Sequence, residues 1–386
     1  MMLLTLTLSA VLLQDTVPPP VIGPEALRLA DSIAAAEFAK DSLGSITVGI
    51  VSGPALVWAK SYGYADSART RPATPATVYR VASVTKQLTV LMLLQQVQAG
   101  RVRLSDPVER YFPEVRRVQG TPPESAPITL VQLATMTSGL ARDPDDERAS
   151  RRGATERWRE ILVAALPRTS YANAPGARYR YSNVGYAILG AALENASGEG
   201  YVAYQHRHLL QPLGMTSSAF VLTPALAERL ATGVDWDDGT LVYSDAAEDH
   251  RQGLGFSVPS GGLYSTVGDL AKLVSLEMGF GPDSVLGREM LALRDEVPVA
   301  AYPQLDYGYG LGYQTMRWGD TVAVGHSGNL AGYTSMVLYD PERRFGVVVL
   351  RSAGGGEADA GRLAGRVLRR IRAELMRREA VTGGSP

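Results

Sequence analysis

The 386-residue sequence contains no cysteine. That absence excludes disulfides, thiolate nucleophiles and cysteine-ligated zinc or iron–sulfur centres. Histidine is scarce, with four in the chain: His206, His208, His250 and His326. His206 and His208 stand two apart, which on a helix sends them to different faces, and no Glu completes an HExxH frame, so no metal is expected. Neither sign of charge dominates, with 38 Lys and Arg against 39 Asp and Glu. Such a chain lacks the basic footprint of a protein that tracks phosphate backbones, and nucleic acid is not an expected partner. Long hydrophobic runs are missing too. The apolar stretch from Met2 to Leu13 is twelve residues, too short for a bilayer span of about 20, so no integral membrane span is expected. It has the length of a signal h-region, but no Lys or Arg precedes Arg28 and no clean small-x-small cleavage site follows. Residues 1–23 are read as a possible signal peptide with a linker through Pro18, Pro19 and Pro20. The expectation is export to the periplasm or beyond, with a cytoplasmic protein bearing a greasy tail as the alternative.

What the chain does carry is an ordinary globular balance, 45% hydrophobic and 20% charged, over a length that suits two subdomains around a common site. Leu27 to Ala39 has helical composition, and Ile46 to Val51 and Ala55 to Tyr62 read as strands joined at Ser52-Gly53-Pro54. From Ser83 to Gln98 a helix is apolar nearly all round, with Val84, Leu88, Val90, Leu91, Met92, Leu93, Leu94 and Val97, and stops at Gly100. Such a helix belongs in the interior. Asp106-Pro107-Val108-Glu109 and Thr129-Leu130-Val131-Gln132 carry helix-start patterns. Further helices are expected at Asn183 to Glu194, at Tyr201 to Leu210 and after Thr266. Strands return at Val322 to Val324, Ser335 to Tyr339 and Phe345 to Leu350. The last helix sets Leu363, Val367, Ile371 and Leu375 on one face and its arginines elsewhere, a pattern for packing on a sheet rather than lying on a membrane. Strands at both ends with helices between predict an α/β (α+β) fold: an antiparallel sheet flanked by helices, with an inserted all-helical subdomain. One domain over 24–380 is expected, its sheet part from 24–100 and 256–380 and its mainly helical part from 101–255.

Three short motifs stand out. In Ser83-Val84-Thr85-Lys86 the serine and lysine are three apart and share a helix face, so the amine can reach the hydroxyl. Burial at the start of an apolar helix penalises the ammonium and makes the amine a base near neutrality. The plainer reading is a surface N-cap Ser beside a solvated Lys. In Tyr181-Ser182-Asn183 a phenol near a lysine can relay a proton, and an amide can hold the lysine and a substrate carbonyl. Here the plainer reading is a tyrosine bonded within its own loop. In Gly325-His326-Ser327-Gly328-Asn329 small residues on a strand edge let a substrate backbone pair, and the Asn329 N–H can join the Ser83 N–H as an oxyanion hole. The alternatives are a tight turn with a half-exposed His, or Ser327 as the nucleophile of a G-x-S-x-G elbow. The fifth position of that elbow is Asn329 rather than Gly, and no suitable helix follows.

The three motifs in this order resemble the β-lactamase-related serine hydrolases, in particular the branch of class C β-lactamases, D-alanyl-D-alanine carboxypeptidases and related esterases and D-amino-acid peptidases. The likeness continues in Gly100 to Val108, Leu133 to Leu140, Gln211 to Met215 and Gly261 to Thr266, and spans roughly Leu27 to Arg372. It implies a β-lactamase/transpeptidase-like fold with the site between sheet and helices. It also implies Ser83 as nucleophile, Lys86 as its base, Tyr181 as proton relay and Asn183 as a substrate and lysine contact. His326, Ser327, Gly328 and Asn329 would form the substrate-binding strand and oxyanion hole. His326 stands where β-lactamases of this branch have the Lys of Lys-Thr-Gly, which favours a D-amino-acid peptidase or an esterase acting on a peptide, amide or ester. A true β-lactamase and a silent penicillin-binding sensor are the alternatives. An unperturbed imidazole there would titrate near neutrality and set the choice of substrate charge. Such chemistry needs no cofactor, the partner is a small-molecule or peptide substrate, and a monomer is expected. Specificity is expected in the loops Ala141 to Gly153 and Leu305 to Tyr313.

Overall fold

The computed structural model of the chain describes residues 18–146, 150–238, 240–244, 253–296, 299–302 and 307–382. The apolar N-terminal stretch, His250 and parts of the two loops expected to set specificity lie outside the described residues. Eight strands form one sheet in the order Ala55–Gly63, Ser45–Ser52, Phe345–Arg351, Tyr333–Asp340, Thr321–Leu330, Gln314–Trp318, Tyr307–Tyr309 and Val299–Tyr302. Every neighbouring pair is antiparallel. An early strand and the last strand therefore pair as second and third from one edge of the sheet, where Ile46 pairs with Arg351 and Ser52 with Phe345.

Side chains that alternate along a strand give the sheet two apolar faces. Phe345, Val347 and Val349 join one core, which is covered by the helices Pro24–Phe38 and Ala360–Thr382. Val348 and Leu350 join the other, which includes the helices Thr85–Gln98, Asn183–Ser197 and Val267–Glu277. The Thr85–Gln98 helix is buried on nearly every side, as its composition predicts. Its polar residues are tied to neighbours: the Thr89 hydroxyl lies 2.6 Å from the Pro259 carbonyl, and the Gln96 amide donates to the Leu193 carbonyl at 2.9 Å. The Asn183–Ser197 helix approaches so closely that a Cβ on Gly190 would lie 2.6 Å from Pro259. This contact seats the short helix Val258–Gly261 against the start of the buried one.

Several elements differ from expectation. A hairpin of Val234–Asp237 and Thr240–Tyr243 lies within the part expected to be all-helical. Asp106 does not cap a helix: its carboxylate takes the Arg103 N–H at 2.8 Å and the Tyr111 hydroxyl at 2.6 Å, and Val108–Arg110 is a single 3-10 turn. The Thr129 capping box forms with both of its bonds. The strand expected at Val322 to Val324 is longer, Thr321–Leu330, so Gly325 to Asn329 lie along a strand, as the strand-edge reading has them, and not in a tight turn. Among the described residues no helix is long and apolar enough to cross a membrane.

The arginines of the terminal helix are used within the protein. Arg362 and Arg366 pair with the buried carboxylate of Glu37, Arg369 stacks 5.3 Å over Trp318, and Arg372 binds the buried Asp340. Asp340 is 0% exposed and also takes the Arg343 N–H at 3.0 Å. Removing one partner of a buried ion pair leaves the other charge uncompensated, at a cost of about 3–5 kcal/mol. Asp340→Ala is therefore expected to lower unfolding stability by about 3 kcal/mol or more, measured by urea titration followed by circular dichroism. A change below about 0.5 kcal/mol, the range of ordinary surface substitutions, would show that this pair does not dock the helix.

Candidate active site

The chain enters the site from the short strand Tyr79–Arg80 and turns at Ala82, whose φ of +48° is a left-handed conformation that disfavours any residue with a Cβ. That turn opens the 3-10 segment Ala82–Val84 and presents the Ser83 hydroxyl at the head of the buried helix. Lys86, one turn on, is fully buried. Its Nζ lies 3.0 Å from Ser83 Oγ, 2.9 Å from Asn183 Oδ1 and 2.7 Å from the Ser260 carbonyl oxygen. The last two atoms can only accept hydrogen bonds, whereas the serine hydroxyl can also donate. A neutral amine satisfies all three at once, with two N–H groups on the obligate acceptors and its lone pair toward the hydroxyl. Burial, aided by the nearby guanidinium groups of Arg151 and Arg142 and opposed by Asp143, holds the Lys86 pKa well below its ordinary value.

The amide of Asn183 has one orientation that satisfies both of its neighbours. Its Nδ2 donates to Asp143 Oδ1 at 3.1 Å, so its Oδ1 faces Lys86. Asp143 is itself held by Arg151 at 2.7 Å and by Arg142 at 3.4 Å. The Arg142 carbonyl takes the backbone N–H of Asn183 at 2.8 Å, which ties this loop to the first turn of the Asn183–Ser197 helix. The Ser182 hydroxyl caps that helix by accepting the Gly185 N–H.

Tyr181 stands over the pair. Its ring centroid is 4.9 Å from Lys86 Nζ and 5.0 Å from the Arg142 guanidinium. Burial raises its phenol above the ordinary range, opposed by a hydrogen bond with the Ser83 hydroxyl and by Arg142.

On the sheet side, Val324, His326 and Gly328 point to the helical face and Gly328 fits against the serine turn. A Cβ there would stand 2.3 Å from the Val81 carbonyl oxygen and 3.2 Å from Ala82 Cβ. His326 is 0% exposed. Its Nδ1 lies 2.6 Å from the Ser327 carbonyl, which can only accept, so Nδ1 carries the proton and Nε2 accepts from the Tyr309 hydroxyl at 3.0 Å. Burial, aided by Lys86 and opposed by the bond to Ser327, pulls the imidazole down to about 3. The expectation that it titrates near neutrality is corrected accordingly: His326 is a neutral, fully engaged ring through the working pH range. Ser327 is no elbow nucleophile, because it lies on an extended strand and its hydroxyl faces the Gln314 amide at 3.0 Å rather than a base. Asn329 is exposed on the same strand.

The structure thus gathers Ser83, Lys86, Tyr181, Asn183 and His326 into one cluster, with Ser327, Gly328 and Asn329 along its wall. Sequence reading did not reach Asp143, Arg142, Arg151, Ser260, Tyr309 or Gln314. Asp143 sits in the run Arg142-Asp143-Pro144-Asp145-Asp146, where a charged loop residue gives no sign of its buried partner. Among the described residues no group of three or more His, Asp or Glu side chains is placed to hold a metal ion.

A family model described as Beta-lactamase matches residues 30–370. The chain is 27% identical over 320 residues to Protein flp of Staphylococcus aureus, covering 83% of this chain and 62% of that protein's length. Among solved structures it is similar to the octameric penicillin-binding protein homologue from Pyrococcus abyssi, with a TM-score of 0.73 and 26% identity over 93% of this chain and 78% of the other. It also shares its fold with the D-amino acid amidase from Ochrobactrum anthropi SV3, with a TM-score of 0.74 and 23% identity over 91% and 99% of the two chains. With its sheet, its helical layer and 341 matched residues, counted inclusively from 30 to 370, this chain belongs to the Beta-lactamase family.

Proposed function

We propose that this protein hydrolyses amide or ester bonds of small D-amino-acid derivatives or peptides through an acyl-enzyme on Ser83. The observation that carries this reading is the buried Lys86 amine, bonded to two obligate acceptors and facing the Ser83 hydroxyl at 3.0 Å. Ser83 Oγ attacks the substrate carbonyl carbon while its proton passes to the Lys86 lone pair. The oxyanion so formed is met by the N–H groups of Ser83 and Asn329. Support for Asn329 comes from strand parity. The Ser327 N–H points to the open edge of the strand, since Gln314 takes it there, and period-two alternation turns the Asn329 N–H to the same side. The Tyr181 phenol gives its proton to the leaving nitrogen or oxygen and recovers one from the Lys86 ammonium as the scissile bond breaks. Water then repeats the sequence on the ester carbonyl, releasing the acid and restoring the serine hydroxyl.

The substrate class rests on two supports. His326 offers no fixed cation where a carboxylate would need one, which favours neutral amides and esters over anionic β-lactams. The fold is also shared with a D-amino acid amidase.

Intact-mass analysis after treatment with a reactive phosphonate and with a penicillin tests the nucleophile. Wild type is expected to gain the phosphonate on a peptide containing Ser83, and Ser83→Ala to stay folded and unlabelled. Label on the peptide containing Ser327 would overturn the assignment.

The pH profile tests the base. Activity requires the neutral amine, so kcat/KM should rise as Lys86 loses its proton, along a limb displaced below the ordinary lysine value of about 10.4. Arg151 disfavours the ammonium, so Arg151→Gln should move that limb to higher pH. His326→Gln should leave its position unchanged, because the ring is neutral throughout. A limb that disappears in His326→Gln and ignores Arg151→Gln would place the titrating group at His326.

A further inference from the structure

The strand that lines the site is paired unevenly. Its bonds to Tyr333–Asp340 run the whole way from Val324 to Leu330, whereas its pairing with Gln314–Trp318 covers Thr321 to Gly325 and ends with Gly325 opposite Gln314. From His326 onward that second edge has no strand partner among the described residues, and it passes directly beside the Ser83 turn through Gly328. An open edge of this kind is where an extended substrate adds itself as a further strand.

Gln314 changes what the edge can accept. Its side chain is buried and reaches past the end of its own strand to Ser327. There its Oε1 takes the Ser327 backbone N–H at 3.0 Å and its Nε2 donates to Ser327 Oγ at 3.0 Å. The Ser327 carbonyl is already engaged by His326 Nδ1 at 2.6 Å. A primary amide thus occupies the rung that the backbone amide of a bound peptide would use. Rungs facing one edge recur every two residues, about 7 Å apart, so the next one lies at Asn329, beside the oxyanion.

Resting on the acyl-enzyme reading above, we propose that Gln314 is a specificity-determining residue. Its side-chain amide caps the substrate-binding edge at Ser327 and confines backbone pairing to Asn329. The enzyme is thereby selective for short substrates, single-residue amides and esters or chain ends, over internal bonds of an extended peptide. One side of the scissile bond meets the cap, and a substrate elongated on that side must displace two hydrogen bonds.

The test compares one scissile amide carried in three molecules: unextended, extended by two residues on the acyl side, and extended by two residues on the leaving-group side. Wild type should favour the unextended amide over at least one extended form. Gln314→Ala should raise the extended-to-unextended ratio of kcat/KM about tenfold or more on that side, mainly through KM, the scale of one or two restored hydrogen bonds. Gln314→Met, which keeps the bulk but not the hydrogen bonds, should give a smaller rise of the same sign and controls for loss of packing. An unchanged ratio in both variants, or a wild type that cleaves all three equally, would overturn the proposal. Phosphonate labelling of Ser83 in the same samples separates the two readings. Labelled Ser83 with an unchanged ratio removes the cap alone, whereas unlabelled wild-type Ser83 removes the acyl-enzyme and this proposal with it.

Discussion

The burial of the Lys86 amine is the constraint on which the rest of the site depends. An ammonium with no carboxylate among its three hydrogen-bond partners is costly at 0% exposure, which holds the Lys86 pKa well below its ordinary value. Once neutral, the amine has two protons to give and one lone pair. The Asn183 and Ser260 oxygens take the protons, and the Ser83 hydroxyl is left facing the lone pair. The apolar helix from Thr85 to Gln98 provides the burial, and the close contact of Gly190 with Pro259 helps to seat the turn that carries the Ser260 carbonyl.

A second ring of groups keeps that arrangement in one state. Asp143 fixes the Asn183 amide so that oxygen, not nitrogen, faces the lysine, and its own charge is balanced by Arg151 and Arg142. These guanidinium groups also disfavour a proton on Lys86. His326, protonated on Nδ1 toward Ser327 and accepting from Tyr309, adds no competing charge. In the proposed mechanism the proton moves among Ser83, Lys86 and Tyr181, inside a frame of hydrogen-bonded and ion-paired groups.

The legible part of the sequence was the part governed by local periodicity. A helix apolar on all sides had to be central, and the nearly continuous apolar runs Ser335–Tyr339 and Phe345–Leu350 marked strands with two buried faces. Ser83, Lys86, Tyr181 and Asn183 were readable because motif spacing and family resemblance coincide there, and the structure brings them together. The strands Val299–Tyr302, Tyr307–Tyr309 and Gln314–Trp318 were not anticipated. They are short, and Gly308, Gly310 and Gly312 break the alternation that would have marked them. The Asp143 and Gln314 contacts lie 40 and 13 residues from their partners, and nothing in a charged loop or a lone glutamine announces such a contact. His326 was assigned its place correctly on the strand but given the wrong electrostatics, because burial by Tyr309 and Tyr181 is a tertiary fact that an isolated imidazole pKa ignores.

The most direct measurement is the ionisation of Lys86 itself. Selective carbon-13 labelling of lysine at Cε, with the Lys86 resonance assigned from the spectrum of Lys86→Arg, would follow that amine through a pH titration in the free enzyme. A midpoint well below the ordinary lysine value of about 10.4, with the resonance in its neutral position wherever the enzyme is active, is the expected result. A resonance that stays in the ammonium position through the active range and titrates near that ordinary value would contradict the assignment of Lys86 as the base.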